Sequence, residues 1–225
     1  MYGKLIVFEG VEGCGKTTQI QRSRQWLSES GWEARLQEQG RSLLVTREPG
    51  GTELGIALRH LLLGQVTQEP MQNRTELLLY AADRAQHVAG CLRPHLAKGG
   101  VILCDRYTDS TVAYQGYGRG LDLNLIYLLN QIATDGLESD LTLWLDLDVK
   151  TGLNRTHQRG TADRIEQADI VFHQRVQQGF TELARSHPHR VIRIDASGSE
   201  SAVAHQIQAA LQQQFEQWFT EPLSG

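Results

Sequence analysis

Lys4-Leu5-Ile6-Val7-Phe8-Glu9, followed by Gly10-Val11-Glu12-Gly13-Cys14-Gly15-Lys16-Thr17, is the stretch that decides the fold. Its first part is a short apolar run with strand character, and the next eight residues satisfy GxxxxGK[ST], the phosphate loop that joins a strand to a helix. Lys16 to Ser30 supplies the helix. The glycines let successive backbone N–H groups curl around phosphate oxygens, and the helix N-terminus adds the positive end of its dipole. Lys16 is expected to reach the β and γ phosphates of a nucleoside triphosphate, and the Thr17 hydroxyl to ligate Mg²⁺. The expected ATP-binding segment is Gly10, Val11, Glu12, Gly13, Cys14, Gly15, Lys16, Thr17 and Thr18.

Outward from this loop, strand-like runs recur at Leu43–Thr46, Val101–Asp105, Leu141–Asp146 and Arg190–Asp195. Helical stretches fill the gaps: Lys16–Ser30, Glu53–Leu63, Asn73–Ala97, Leu123–Thr134, Val149–Gln158, Ala168–Ser186 and Ser201–Phe219. Strands alternating with helices need crossover connections, and the all-apolar centres LIVF, VILC and LTLWL predict five buried strands covered on both faces. The fold class is therefore α/β, a P-loop NTPase fold with a five-stranded parallel sheet between helical layers. Its 225 residues, 40% of them hydrophobic, are enough for one domain spanning 1–225. Gln37–Ser42, polar and containing Gly40, reads as a surface loop. In the last helix Val203, Ile207, Ala210 and Leu211 share an amphipathic packing face.

A formal charge of -4 and a pI near 6.1 exclude a global basic field for nucleic acid, so anionic ligands must be held by local arginines. Cys14, Cys91 and Cys104 are odd in number and form no CxxC pair, as expected of reduced thiols. The apolar run that ends before Glu9 is too short for a signal-peptide core or a membrane span, and nothing later reaches that length. A cytoplasmic protein is expected.

A phosphate loop alone leaves GTPases, motor ATPases, partition ATPases and small-molecule kinases open. Guanine readers carry NKxD after a late strand, whereas Asp146 and Asp195 are followed by LDVK and ASGS. The arginines narrow the choice further. Cys104-Asp105-Arg106-Tyr107 puts an acid and an arginine at the carboxyl edge of the sheet, where open α/β folds bind ligands. Asp105 is the expected Mg²⁺ acid, with helix capping as the competing explanation. Arg106 so near the sheet needs an anion, and an acceptor phosphate supplies one. Arg47, in Thr46-Arg47-Glu48-Pro49-Gly50-Gly51-Thr52, is held by a rigid turn at the same edge. Tyr80 and Arg84 lie four residues apart on one helical face, suited either to a planar base or to a core tyrosine beside a solvated arginine. Arg155, Arg159 and Arg164 surround Gly160 without an apolar anchor, which describes either a lid near 155–166 or a solvated basic turn.

Five motifs in order, FEGVEGCGKTTQ (Phe8–Gln19), TREPGGT (Thr46–Thr52), ELLLYAADRAQH (Glu76–His87), DRYTDSTVAYQG (Asp105–Gly116) and RGTADRIE (Arg159–Glu166), resemble those of thymidylate kinases. The resemblance runs from Lys4 to about Asp195 and implies a nucleoside monophosphate kinase-like enzyme that moves the γ-phosphate of ATP to dTMP. It implies that Arg47 and Arg106 hold the dTMP phosphate, that Tyr80 stacks on thymine and that Arg84 bonds a thymine carbonyl. Thr111 and Gln115 would complete base recognition, Tyr114 would crowd the sugar C2′ position, and Glu12 would meet the 3′-hydroxyl or water around Mg²⁺. Some members carry a catalytic arginine in the phosphate loop and others in the lid; here Gly13 stands at the loop position. The implied catalytic set is Lys16, Arg106 and Arg159, with Arg155 on ATP and Thr17 and Asp105 toward the metal. Two departures from the family pattern are Tyr80, usually Phe, and a longer Gln37–Ser42 link. Family members are homodimers. The competing functions are a deoxynucleoside kinase, a kinase for another monophosphate, and a P-loop regulatory ATPase that lacks an acceptor pocket.

Overall fold

The structure, a computed structural model, describes residues 3–64, 69–160 and 163–219, except for the side chain of Arg159. Five strands, β1 (Lys4–Glu9), β2 (Leu43–Arg47), β3 (Val101–Asp105), β4 (Leu141–Asp146) and β5 (Val191–Asp195), form one parallel sheet in the order β2-β3-β1-β4-β5. The helices are α1 (Lys16–Glu29), α2 (Trp32–Glu38), α3 (Glu53–Leu63), α4 (Asn73–His87), α5 (Arg93–Ala97), α6 (Thr108–Thr111), α7 (Leu123–Thr134), α8 (Val149–Arg159), α9 (Ile170–Ser186) and α10 (Glu200–Phe219).

The register sets the site. Phe8 is level with Asp105 of β3 and Leu143 of β4, and Arg47 of β2 is level with Asp105. The phosphate loop, the Asp105-Arg106 turn and Arg47 therefore leave the same edge of the sheet side by side. The central strands β1, β3 and β4 are buried between helices on both faces, as their apolar centres predict. The outer strands are not: β2 is half exposed, with Val45 at 39%, and β5 mixes buried with exposed positions. Five fully buried strands were one too simple an expectation, because an edge strand has a neighbour on one side only.

Local chemistry starts the helices. Thr52, Asp122, Asp148 and Asp169 accept backbone N–H bonds at the N-termini of α3, α7, α8 and α9. Asn73–Ala97 is one helical run, as expected, but it contains a wide turn at 88–92 in which the Arg93 N–H reaches the Val88 carbonyl. That register shift lies just before Pro94, which has no N–H to continue the usual ladder.

The loop expected at Gln37–Ser42 is shorter than that. Gln37 and Glu38 close α2, and only the four residues from Gln39 to Ser42 link it to β2. Trp32 and Leu36, four residues apart, are buried; the Trp32 indole donates to Gln212 Oε1 at 2.9 Å and packs edge-on against Phe215. α6 and the wide helical turn at 112–118 also formed where no helix was expected.

Candidate active site

The phosphate loop is held by its own lysine. Lys16 Nζ donates to the carbonyls of Gly10 and Val11 at 3.0 and 3.1 Å and is 7% exposed. Gly15 has φ 95° and starts α1 from the left-handed region. Gly13, at φ 69°, sits against α8: a Cβ there would run into the Gly152 carbonyl oxygen. This contact gives a steric reason for the glycine at the position where other members of the resembled family carry an arginine.

Thr17 Oγ1 donates to Asp105 Oδ2 at 3.3 Å, which joins the two expected metal residues. Asp105 Oδ1 is buried with no hydrogen-bond partner. Asp105 ends β3 and caps no helix, so the capping explanation falls.

Arg106 has φ 69°, unusual for a residue with a side chain. Its backbone N–H donates to the Phe8 carbonyl, while Nη2 donates to Glu12 Oε1 at 2.6 Å and Nη1 to Ser110 Oγ at 3.1 Å and the Gly10 carbonyl at 3.2 Å. Tyr114 donates its hydroxyl to the same Glu12 oxygen at 2.8 Å, and the Arg106 guanidinium lies 4.9 Å from the Tyr114 ring centre. Burial pushes the Glu12 carboxyl up, but Arg106 and Lys16 together pull it down to about 2. The anion that Arg106 needs near the sheet is thus supplied within the chain. Behind it, Glu9 accepts the N–H groups of Tyr107 and Ser110 and the Ser110 hydroxyl. Complete burial raises the Glu9 carboxyl to about 7 against the opposing charge of Arg106.

Two cavities meet at Arg106. One is polar, lined by Gly13, Gly15, Lys16, Thr17, Thr18, Arg47, Arg59, Asp105, Arg106, Asp163 and Glu166, among others. The second is lined by Glu48, Pro49, Arg59, Leu63, Tyr80, Arg84, Thr111, Tyr114, Gln115 and Ile165 with Glu12 and Arg106. Tyr80 and Arg84 do share this wall, and Arg84 is not solvated: it is 2% exposed. Its Nε donates to Glu48 Oε2 at 2.8 Å, Nη1 to Thr111 Oγ1 at 2.7 Å and Asn130 Oδ1 at 2.8 Å, and Nη2 to the Tyr107 carbonyl at 2.9 Å. Those bonds use four of its five N–H donors. Glu48 is shared with His87, whose Nδ1 lies 2.9 Å from Oε1, and this buried group fixes the turn that presents Arg47.

Sequence reasoning missed Arg59, which lines both cavities and donates to the Pro49 carbonyl at 2.9 Å. Burial, then the charges of Arg47 and Arg106, lower its pKa. Guanidinium groups crowded in this way favour an anion among them. The available signal was a lone arginine in the apolar run Leu54–Leu63.

The three arginines expected in a lid separate. Arg155 is exposed on α8, and Arg159 closes that helix with its side chain outside the described residues, as are Thr161 and Ala162. Arg164 is docked: its Nε donates to the Leu62 carbonyl at 2.9 Å, and Nη2 lies 2.6 Å from Glu76 Oε2, close enough for an ion pair though not aligned as a hydrogen bond. Asp163 accepts from the N–H groups of Ile165 and Glu166, which tightens this turn beside the polar cavity.

A family model described as thymidylate kinase matches residues 8–207. A curated thymidylate kinase of Cyanothece sp. is 64% identical, with 98% of each chain covered, and that of Acaryochloris marina is 56% identical over 97% of this chain and 100% of its own. Among solved structures, the crystal structure of thymidylate kinase from Ehrlichia chaffeensis superposes with a TM-score of 0.75 at 32% identity, covering 94% of this chain and all of that one.

Proposed function

We propose a division of labour on one premise: the chain belongs to the thymidylate kinase family, an ATP-dependent nucleoside monophosphate kinase that phosphorylates dTMP for dTTP synthesis. The observation that carries the assignment is the convergence of Lys16, Arg47, Arg59 and Arg106 on one polar cavity that opens into an aromatic-walled one. Triphosphate and acceptor phosphate meet in the first, and the thymine base enters the second. Tyr80 stacks on the base, the remaining Arg84 donor and Thr111 meet its carbonyl edge, and Gln115 meets N3. Tyr114, locked by its bond to Glu12, limits the room at the sugar.

The reaction is in-line transfer. An oxygen of the dTMP phosphate forms a bond to the γ-phosphorus while the bond from that phosphorus to the β,γ-bridging oxygen breaks, and the electron pair leaves on ADP. The nucleophile is already ionised near neutral pH, since the second pKa of such a phosphate is about 6, so no general base is required. Catalysis is positioning and charge neutralisation. Lys16 holds the β and γ oxygens, Arg47, Arg59 and Arg106 offset repulsion between the two anions, and Arg159 brings charge from the lid as water is excluded.

Thr17 and Asp105 fit Mg²⁺, because a hydroxyl and a buried carboxylate with an unpartnered oxygen face the phosphate cavity. No group of three or more His, Cys, Asp or Glu side chains that could hold a metal occurs among the described residues, so phosphate oxygens and water would complete the coordination. When bound, the ion supplies charge neutralisation across the phosphates.

The test is ADP release that depends on dTMP. Thymidine outperforming dTMP would overturn the acceptor assignment, and hydrolysis of ATP at the same rate without any acceptor would favour the regulatory ATPase.

The chain is read as one catalytic domain with a lid near 155–166. Its partner is a second copy of itself. Leu78 on α4 and Leu125, Leu128 and Ile132 on α7 are exposed apolar residues on two helices that pack together, and Ile132 is 68% exposed. Such a stripe fits a helix-to-helix homodimer. The double substitution Leu128→Glu/Ile132→Glu is expected to halve the mass seen by sedimentation equilibrium; an unchanged mass would place the interface elsewhere. No described helix is long and apolar enough to cross a membrane, and a reaction fed by ATP and dTMP fits the cytoplasm.

A further inference from the structure

Glu76 is 1% exposed, yet it belongs to none of the phosphate-holding groups. It lies in the first turn of α4 and gathers three side chains from two other segments. Oε1 accepts from Gln115 Nε2 at 2.9 Å and Arg119 Nε at 3.2 Å; Oε2 accepts from Arg119 Nη2 at 3.1 Å and pairs with Arg164 Nη2 at 2.6 Å. Burial raises its pKa, but the bonds from Arg119 and Gln115 and the charges of Arg119 and Arg164 outweigh that and leave it lowered. An ionised carboxylate can only accept hydrogen bonds.

This fixes something that is ordinarily ambiguous. Either end of a glutamine amide can face a neighbour, and the choice follows from the hydrogen-bond network. Against an acceptor-only carboxylate, the Gln115 amide must present its NH₂ group. Its carbonyl oxygen is then the end left for the base cavity that Gln115 lines with Tyr80 and Thr111. An acceptor at that place matches the N3–H of thymine or uracil. It faces N3 of cytosine lone pair to lone pair, because that nitrogen carries no hydrogen.

We propose that Glu76 is a positioning residue that sets pyrimidine selectivity by holding the Gln115 carbonyl toward the base, thereby excluding cytosine nucleotides. The proposal rests on Gln115 meeting the base at N3. Arg119 and Arg164 have a part in it: they keep the carboxylate charged, and Arg164 ties the lid-side turn to the same anchor.

Glu76→Gln tests it. The two arginines claim the single oxygen of the new amide, its NH₂ group turns toward Gln115, and the Gln115 amide reverses to present a donor to the base. The ratio of kcat/KM for dTMP over dCMP is expected to fall at least ~10-fold, since a site built around one hydrogen-bond pattern discriminates strongly against its inverse. The ratio for dTMP over dUMP is expected to stay within about twofold, because both bases carry N3–H. General loosening of the pocket would shift both ratios together and overturn the proposal. Gln115→Leu should lower the dTMP over dCMP ratio by itself, and adding Glu76→Gln to it should change that ratio no further. If Gln115→Leu has no effect, the N3 contact is wrong and the proposal falls with it; if Gln115→Leu acts but Glu76→Gln does not, the N3 contact survives and only the role of Glu76 falls. Should Glu76→Gln fold poorly, Arg119→Lys, which keeps a positive charge beside the carboxylate, is expected to retain the wild-type ratio, and a loss of selectivity there would overturn the proposal as well.

Discussion

Arg106→Ala is expected to lower kcat/KM for dTMP by ~10³-fold or more. One guanidinium bonds Glu12, Ser110 and the Gly10 carbonyl and also borders both cavities, so its removal takes away the proposed phosphate ligand and the counter-charge of Glu12 at once. Losing one preorganised donor to developing charge costs about 10²–10³ in rate, and stranding a buried partner adds to that. Lysine should rescue little, because a single ammonium cannot reproduce a planar fork that serves three acceptors.

The variant should also acquire a pH dependence. In the parent, Arg106 and Lys16 hold Glu12 near 2, so it stays ionised throughout the range of an assay. Without Arg106 its main stabilising charge is gone, burial dominates, and the carboxyl titrates at a higher pH. As pH falls through that raised value, Glu12 takes up a proton, and its bond to the Tyr114 hydroxyl loses its charge assistance. Residual kcat/KM should therefore decline on the acid side of neutrality, whereas the parent shows no such limb from Glu12. A variant with parental kcat/KM, or with an unchanged acid limb, would remove Arg106 from the centre of the site.

What could be read in advance depended on how close together the informative residues lie in the chain. The β1, loop and α1 unit was legible because strand, glycines, Lys16 and helix are contiguous. Thr17 with Asp105 was legible because one closes the motif that follows β1 and the other ends β3, and parallel register sets those two strands side by side. Glu76 was opaque: its partners Gln115, Arg119 and Arg164 lie 39 or more residues away, and nothing near Glu76 announces them. Arg59 was hidden for a similar reason, since its place depends on α3 folding back onto the Pro49 turn. α2 escaped notice because two buried residues in seven give too short a period to distinguish from a loop. Strand order has no local signature at all.

The lid arginine should show the opposite kinetic pattern to Arg106: Arg159→Ala is expected to reduce kcat by ~10³-fold and to leave KM for dTMP within about threefold, the mark of an interaction made only in the transition state. Gly13 has no room for a side chain against the Gly152 carbonyl, so the phosphate loop cannot supply the extra charge. Arg164 is committed to Leu62 and Glu76, which suits an anchor, and its loss should raise KM through a loosened turn. Arg155 and Arg159 are four residues apart on α8, and Arg159 is the one at the helix end, next to the Gly160 turn. Arg155→Ala should therefore cost kcat less than Arg159→Ala does. Single-turnover rates measured with dTMP saturating separate chemistry from product release. A loss confined to release, or an equal loss in kcat and in dTMP affinity, would remove Arg159 from the transferred phosphate and leave Lys16 with the three cavity arginines to neutralise it.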